Sequence, residues 1–140
     1  MAQRIFRLLA WGVIVVSFVG IASASPYEPT RNSAERRAIL DALRPAVERQ
    51  LQPPVEFLVS HLLVDHGWAF VSVEPQRPGG AAIDVDAVGF DMDMRDGLTT
   101  WALLRKHSGG WRIVEWVLGP SDVAWHGWWD TYDAPREIFP

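Results

Sequence analysis

Two pairs of apolar segments, each joined by a short glycine-containing turn, restrict the fold of this chain more than any other feature. The first pair covers residues 55–64 and 68–74, joined by Asp65-His66-Gly67. The second pair covers residues 98–106 and 111–118, joined by His107-Ser108-Gly109-Gly110. Both pairs are rich in the large apolar residues typical of strands, and they partly alternate with polar residues. The pattern predicts two antiparallel hairpins and therefore a sheet of at least four strands.

A long connection, residues 75–97, separates the two hairpins. Its residues 90–94 alternate between apolar and acidic side chains, which predicts a short additional strand at the edge of the sheet. A connection of this length in a small protein is usually functional or mobile.

Helical patterns flank the strands on both sides. In the first, Ile39, Leu43 and Val47 recur at helical spacing, and Asn32 stands three residues before Glu35 as in a capping box. Pro45 falls inside this pattern, so we expect either a kink or the start of a second short helix.

The second helical pattern begins at Ser121, a favourable N-cap residue. It contains Trp125, Trp128, Trp129 and Tyr132, which follow one another at i, i+3, i+4 and i+7 and would share one helical face.

The order of these elements predicts an α+β fold. We expect a curved antiparallel sheet of four to five strands wrapped on the N-terminal helix. The short aromatic C-terminal helix would pack at one end of the sheet or across its concave side. Residues 25–31 are interpreted as an extended polar leader and residues 32–140 as a single domain.

Residues 1–24 have the pattern of a secretory signal peptide. Arg4 and Arg7 precede an apolar stretch, and Ala22-Ser23-Ala24 places small residues before an expected cleavage point at Ser25. The alternative is an uncleaved membrane anchor, although the apolar stretch is at the short end of what spans a bilayer. We therefore expect a periplasmic or secreted protein.

The charge balance of the expected mature chain excludes some classes of partner. Without Arg4 and Arg7, 11 of the 13 basic residues remain against 17 acidic residues, which gives a net charge of −6. Nucleic acids and anionic membrane surfaces both attract clustered basic residues, so we expect neither as a partner after signal cleavage. The chain has no cysteine, and seven of its eight tryptophans follow residue 24, so aromatic burial rather than disulfides must stabilise the fold.

The chain resembles the cystatin-like and NTF2-like superfamily of small α+β domains, and more narrowly a set of small exported bacterial proteins without an assigned activity. The resemblance rests on Ala38-Ile39-Leu40-Asp41-Ala42-Leu43-Arg44-Pro45, on Gly67-Trp68-Ala69-Phe70 and on Glu74-Pro75-Gln76-Arg77-Pro78-Gly79-Gly80. It also rests on Trp101-Ala102-Leu103-Leu104-Arg105, on Gly110-Trp111-Arg112-Ile113-Val114-Glu115 and on Gly119-Pro120-Ser121-Asp122-Val123-Ala124-Trp125. It implies a fold over nearly all of the mature chain but no activity, because one fold hosts many functions.

The acidic residues of the long connection are the best candidates for metal binding. These are Asp84, Asp86, Asp91 and Asp93, followed by Asp96. Oxygen-rich loops suit Ca²⁺, but the run from Asp91 departs from an EF-hand loop and has Ala102 at the twelfth position. A solvated acidic face is the favoured interpretation, so no metal site is assigned.

A second group, His61, Asp65 and His66, lies around the first turn. It lacks the helical spacing of a zinc pair, and a third ligand would require His126 to come near. A polar turn is the favoured interpretation here too.

No catalytic set is evident in the sequence. Glu115 is the most suggestive general base, since it lies between apolar residues and would share a strand face with Trp111 and Ile113. Asp86 and Glu74 are weaker candidates, no nucleophile motif surrounds Ser108, and we expect no cofactor.

The aromatic stripe of Trp125, Trp128, Trp129 and Tyr132 is the most unusual feature, and it has two interpretations. It can complete the core, which the helical spacing favours, or it can bind a partner, since Trp and Tyr dominate binding hot spots. Our leading hypothesis is a non-enzymatic exported binding module for an envelope protein or a small apolar ligand. The alternative is a small NTF2-like enzyme (an isomerase, dehydratase or hydrolase) with a carboxylate base in the sheet pocket.

Overall fold

The computed structural model describes residues 25–140, and the predicted signal peptide lies outside the described residues. The elements in chain order are helix α1 (Ala34–Leu51), strands β1 (Glu56–Asp65), β2 (Trp68–Gln76), β3 (Thr100–His107) and β4 (Gly110–Leu118), and helix α2 (Trp128–Tyr132). A 3₁₀ turn over Arg136–Ile138 follows α2. None of the helices within residues 25–140 combines the length and apolar character needed to cross a bilayer.

The four strands form one open antiparallel sheet in the order β1-β2-β3-β4. This confirms the predicted α+β class, the two hairpins and the antiparallel sheet. β1 and β4 are the edge strands, and each neighbouring pair is consecutive in the chain. The register is interrupted by bulges between Val59 and His61 in β1, and opposite Leu103 and Leu104 in β4.

Helix α1 packs its apolar stripe on one face of the sheet. Its buried residues are Ile39, Leu43, Ala46, Val47 and Leu51. They meet inward side chains of all four strands, including Leu62, Val71, Leu104 and Leu118, in the larger of two cores. Alternation within the strands sends their other side chains to the opposite face, where the C-terminal segment forms the second core.

The N-terminus of α1 differs in detail from the capping-box prediction. Ser33, rather than Asn32, is the N-cap, and its Oγ accepts a hydrogen bond from the Arg36 N–H at 3.1 Å. Asn32 has a φ of 64° and lies in the preceding turn. Pro45 lies inside α1, which continues as one helix over 18 residues, so no second helix begins there.

The predicted edge strand at residues 90–94 is wrong, because this part of the connection forms turns. The Phe90 N–H bonds the Val85 carbonyl at 2.9 Å, and the Asp93 N–H bonds the side chain of Asp91 at 2.8 Å. Local bonds of this kind satisfy backbone groups that a strand would offer to a neighbour. The sheet therefore has four strands rather than five.

Candidate functional site

The C-terminal segment places four aromatic side chains over the sheet face opposite α1. We call Trp125, Trp128, Trp129 and Tyr132 the aromatic cap; they pack around the buried residues Phe70, Leu103, Ala134, Ile138 and Phe139. The sequence identified all four members of the cap. Their packing partners on β2 and in the last residues of the chain were not predicted.

Phe70 anchors the cap to the sheet. Its ring centroid lies 5.9 Å from that of Trp125, 6.3 Å from that of Trp128 and 4.7 Å from that of Phe139. The two tryptophan contacts are edge-to-face, a geometry that adds stabilisation beyond the area buried. The cap is therefore held by specific ring contacts with a fully buried strand residue.

The helix predicted from Ser121 is largely absent, and the cap is not one helical stripe. Helix α2 has five residues, and Gly127 precedes it with a φ of 89°. A residue in this left-handed conformation cannot continue a helix, so Trp125 lies in a separate turn. Ser121 caps no helix, and Trp125 joins the cluster from the turn that precedes α2.

Each member of the cap is partly buried and partly accessible. Trp125, Trp128, Trp129 and Tyr132 are all half-buried, and no residue of α2 is fully buried. Each ring thus packs against the second core and keeps some surface in contact with solvent. Trp101 in β3 extends the cluster, with its ring 6.3 Å from Trp125 and its Nε1 donating to Ser72 Oγ at 3.0 Å.

Arg136 and His126 border the cap at Trp129. The Arg136 guanidinium lies 3.9 Å from the centroid of the Trp129 ring, and the exposed His126 ring lies 4.9 Å from it. A guanidinium stacked on an indole face is held in place while its remaining donors stay available to water or a ligand. The accessible cap therefore combines apolar surface with hydrogen-bond donors.

Tyr132 joins the cap to Glu115, the residue considered as a general base. The Tyr132 hydroxyl donates to Glu115 Oε2 at 2.6 Å, and the Trp116 N–H donates to Glu115 Oε1 at 3.1 Å. This hydrogen bond, together with burial and the negative charge of Glu115, raises the pKa of Tyr132 and keeps its phenol protonated. Both carboxylate oxygens therefore already accept hydrogen bonds from the protein.

The predicted strand face of Glu115 is wrong. Glu115 pairs with Leu103 but Ile113 pairs with Leu104, so Val114 is an extra residue in β4. The bulge inverts the alternation, and Glu115 faces the cap whereas Trp111 and Ile113 face α1.

The aspartates of the long connection do not converge. Asp84, Asp86, Asp91 and Asp93 are all exposed, and two of them accept hydrogen bonds from nearby backbone N–H groups. Within residues 25–140, no three His, Asp or Glu side chains are grouped so that they could hold a metal ion.

The histidine group also separates into individual contacts. His61 Nε2 lies 2.7 Å from the Ile138 carbonyl and ties β1 to the C-terminal turn. The His66 Nδ1 lies 2.7 Å from Oδ1 of the buried Asp65, and His126 lies beside Trp129 instead.

Sequence reasoning missed a groove between α1 and β1. Its walls include Arg31, Arg36 and Arg37 on one side and residues 56–59 on the other. The spacing of these arginines along the chain was the available signal, but their position beside an edge strand depends on how α1 crosses the sheet.

Comparisons of the chain with family models, curated proteins and solved structures find no match. The cystatin-like and NTF2-like resemblance therefore stays a prediction.

Proposed function

We propose that this protein is an exported, non-enzymatic binding module that holds a partner protein of the cell envelope through its aromatic cap. In this proposal the domain has the cystatin-like or NTF2-like architecture and acts in the periplasm or outside the cell. The observation that carries it is the two-sided placement of the cap. Each ring packs against the second core on one side and is partly accessible on the other.

Fixed aromatic surface suits protein recognition for a physical reason. Rings that are already ordered by Phe70 and Phe139 lose little side-chain entropy when a partner covers them. The indole rings supply apolar area, and Arg136 and His126 supply donors at its edge. Such a combination matches the Trp- and Arg-rich composition of binding hot spots.

The enzymatic alternative has less support from the geometry. Glu115 accepts one hydrogen bond from the protein on each of its carboxylate oxygens, so both oxygens already have structural partners. Asp86 is exposed in the connection between the hairpins, where water keeps its carboxylate solvated. The cap is the better candidate for a working surface.

Capture and measurement of the partner test the proposal. Tagged protein is cross-linked briefly in its native envelope, and the captured protein is purified and its affinity measured with wild type and with Trp128→Ala combined with Trp129→Ala. Hot-spot residues contribute about 2 kcal/mol or more, so we expect at least a 30-fold loss of affinity. Circular dichroism must show that the variant stays folded.

Met94→Ala is the matched control, because Met94 is an apolar side chain that is 95% exposed and lies outside both the cap and the groove between α1 and β1. We expect it to leave the affinity unchanged. Unchanged affinity in the double variant would contradict the proposal. Recovery of a small apolar ligand in place of a protein would contradict the proposal that the partner is a protein.

A further inference from the structure

A groove of about 540 Å³ runs along the outer side of β1. The first turns of α1 and the residues before them supply its basic wall, with Arg31, Arg36 and Arg37. The start of β1 supplies its other wall, with Phe57, Leu58 and Val59. The groove is independent of the aromatic cap, which covers the sheet face opposite α1.

The strand that borders the groove has a free edge. β1 is the outermost strand, and Tyr27 is the one residue of 25–140 that bridges its outer side, at Val64. Both backbone groups of Val64 bond Tyr27, at 2.9 and 2.8 Å. Beyond this bridge, no backbone group in the described chain bonds the outer side of residues 56–59. An exposed strand edge can accept an additional strand. Tyr27 already pairs with the outer edge of β1 in the antiparallel orientation.

The charges in the groove favour an acidic occupant. Arg36 pairs with Glu28 at 2.9 Å, and Arg37 donates to the Asn32 carbonyl, whereas Arg31 has no hydrogen bond to a described residue. Against these three arginines the groove contains one acidic side chain, Glu56. This local excess of positive charge contrasts with the net charge of −6 of residues 25–140.

The same charges disfavour a second copy of the chain as the occupant. Pairing of two β1 edges would bring two sets of arginines close together, and like charges across an interface oppose association. A segment with alternating acidic and apolar residues would direct its acidic side chains to the arginines on the α1 side of the sheet and its apolar side chains to Leu58 on the other side.

We propose that the groove binds an extended acidic segment of a partner protein, which pairs with β1 as a fifth strand. The backbone of residues 56–59 supplies the hydrogen bonds of the pairing. Arg31 and Arg37 select the acidic side chains, and Leu58 adds apolar contact.

The test uses a blocked peptide of about six residues, the usual length of a strand, with alternating Glu and Val. A matched peptide replaces each Glu with Gln. We expect the Glu peptide to bind the purified protein and to slow hydrogen exchange at the amides of residues 56–59. We expect the Gln peptide to bind about tenfold more weakly, because it lacks the charges that pair with the arginines.

Paired variants separate the groove from general charge effects. Arg31→Gln combined with Arg37→Gln should weaken binding of the Glu peptide about tenfold. Arg49→Gln combined with Arg112→Gln removes the same charge from exposed positions outside the groove and should change binding by less than about twofold at physiological salt. The single variant Arg31→Gln provides a second measurement of peptide binding, and it keeps the hydrogen bond from Arg37 to the Asn32 carbonyl.

Four results would overturn the proposal. The first is equal binding of the Glu and Gln peptides. The second is unchanged hydrogen exchange at residues 56–59. The third is an equal effect of the two arginine pairs. Saturation of the groove by inorganic phosphate with the same exchange pattern would also overturn it, since it would identify a simple anion site. None of these results depends on the aromatic cap, so failure of the groove proposal would not contradict the proposed function of the cap.

Discussion

The hydrogen bond between Tyr132 and Glu115 can be measured with a double-mutant cycle that combines Tyr132→Phe with Glu115→Ala, since alanine leaves the phenol no side-chain acceptor. The phenol oxygen lies 2.6 Å from Glu115 Oε2, and both side chains are half-buried. Hydrogen bonds to charged groups contribute about 1.5–3 kcal/mol to stability in proteins. Because water reaches both side chains and screens the charge, we expect a smaller coupling of about 1 kcal/mol in the free energy of unfolding.

The contribution of Tyr132 should also depend on pH in one direction. The hydrogen bond to Glu115, burial and the negative charge of Glu115, in that order, raise the pKa of Tyr132 above its ordinary value of 10.0. A group whose pKa is higher in the folded state stabilises fully below its unfolded pKa and loses that effect as pH rises through the folded pKa. The stability difference between wild type and Tyr132→Phe should therefore be constant from neutral pH to about pH 10 and shrink above it.

Urea unfolding followed by far-ultraviolet circular dichroism measures each member of the cycle at several pH values. Tyr27→Phe is the control, since Tyr27 makes a similar bond to Glu35 at 2.9 Å on an exposed part of the surface. Its effect should add to that of Glu115→Ala without coupling. A coupling near zero between Tyr132 and Glu115 would refute the reasoning. So would a Tyr132→Phe effect that persists unchanged at high pH.

Two further predictions concern the packing of the fold. Gly119→Ala should destabilise by more than about 2 kcal/mol, because its Cβ would lie 2.6 Å from the Gly97 carbonyl oxygen at a φ of 65°. Gly97→Ala, at a φ of 75° with open space around it, should cost only about 1 kcal/mol, and equal costs in urea unfolding would contradict the clash. Leu43→Ala removes a fully buried side chain of α1 and should cost about 2–5 kcal/mol. Arg49→Ala on the exposed side of α1 should cost less than about 0.5 kcal/mol, and a similar loss in both variants would contradict the packing of that helix.

The sheet could be predicted from the sequence because local signals and tertiary packing agree there. The four predicted segments match the strands to within two residues at each end. A short turn between two apolar segments brings them together as a hairpin, so the strand pairing follows from the order of the segments in the chain.

The predictions that are wrong depend on competition between local interactions. Residues 90–94 alternate as a strand would, but the Asp91 side chain bonds the Asp93 N–H and stabilises a turn instead. The spacing of the aromatic cap suits a helix from Ser121, but Gly127 adopts a left-handed conformation within it. Periodicity alone does not show which of two competing local structures is the more stable.

The candidate sites show a further limit of sequence reasoning. The extra residue Val114 reverses the faces of β4, and nothing in the local sequence marks it as a bulge. The contacts of the cap with Phe70 and Phe139 join residues far apart in the chain. The groove likewise depends on where α1 lies against the edge of the sheet.

The most direct test of the central claim is the affinity of the captured envelope partner for wild type and for the Trp128→Ala, Trp129→Ala double variant, with both proteins shown to be folded. Binding through the cap predicts at least about a 30-fold loss, while Met94→Ala binds as wild type does. Equal affinities of the double variant and wild type would contradict the account and leave the aromatic residues as a cover for the sheet alone.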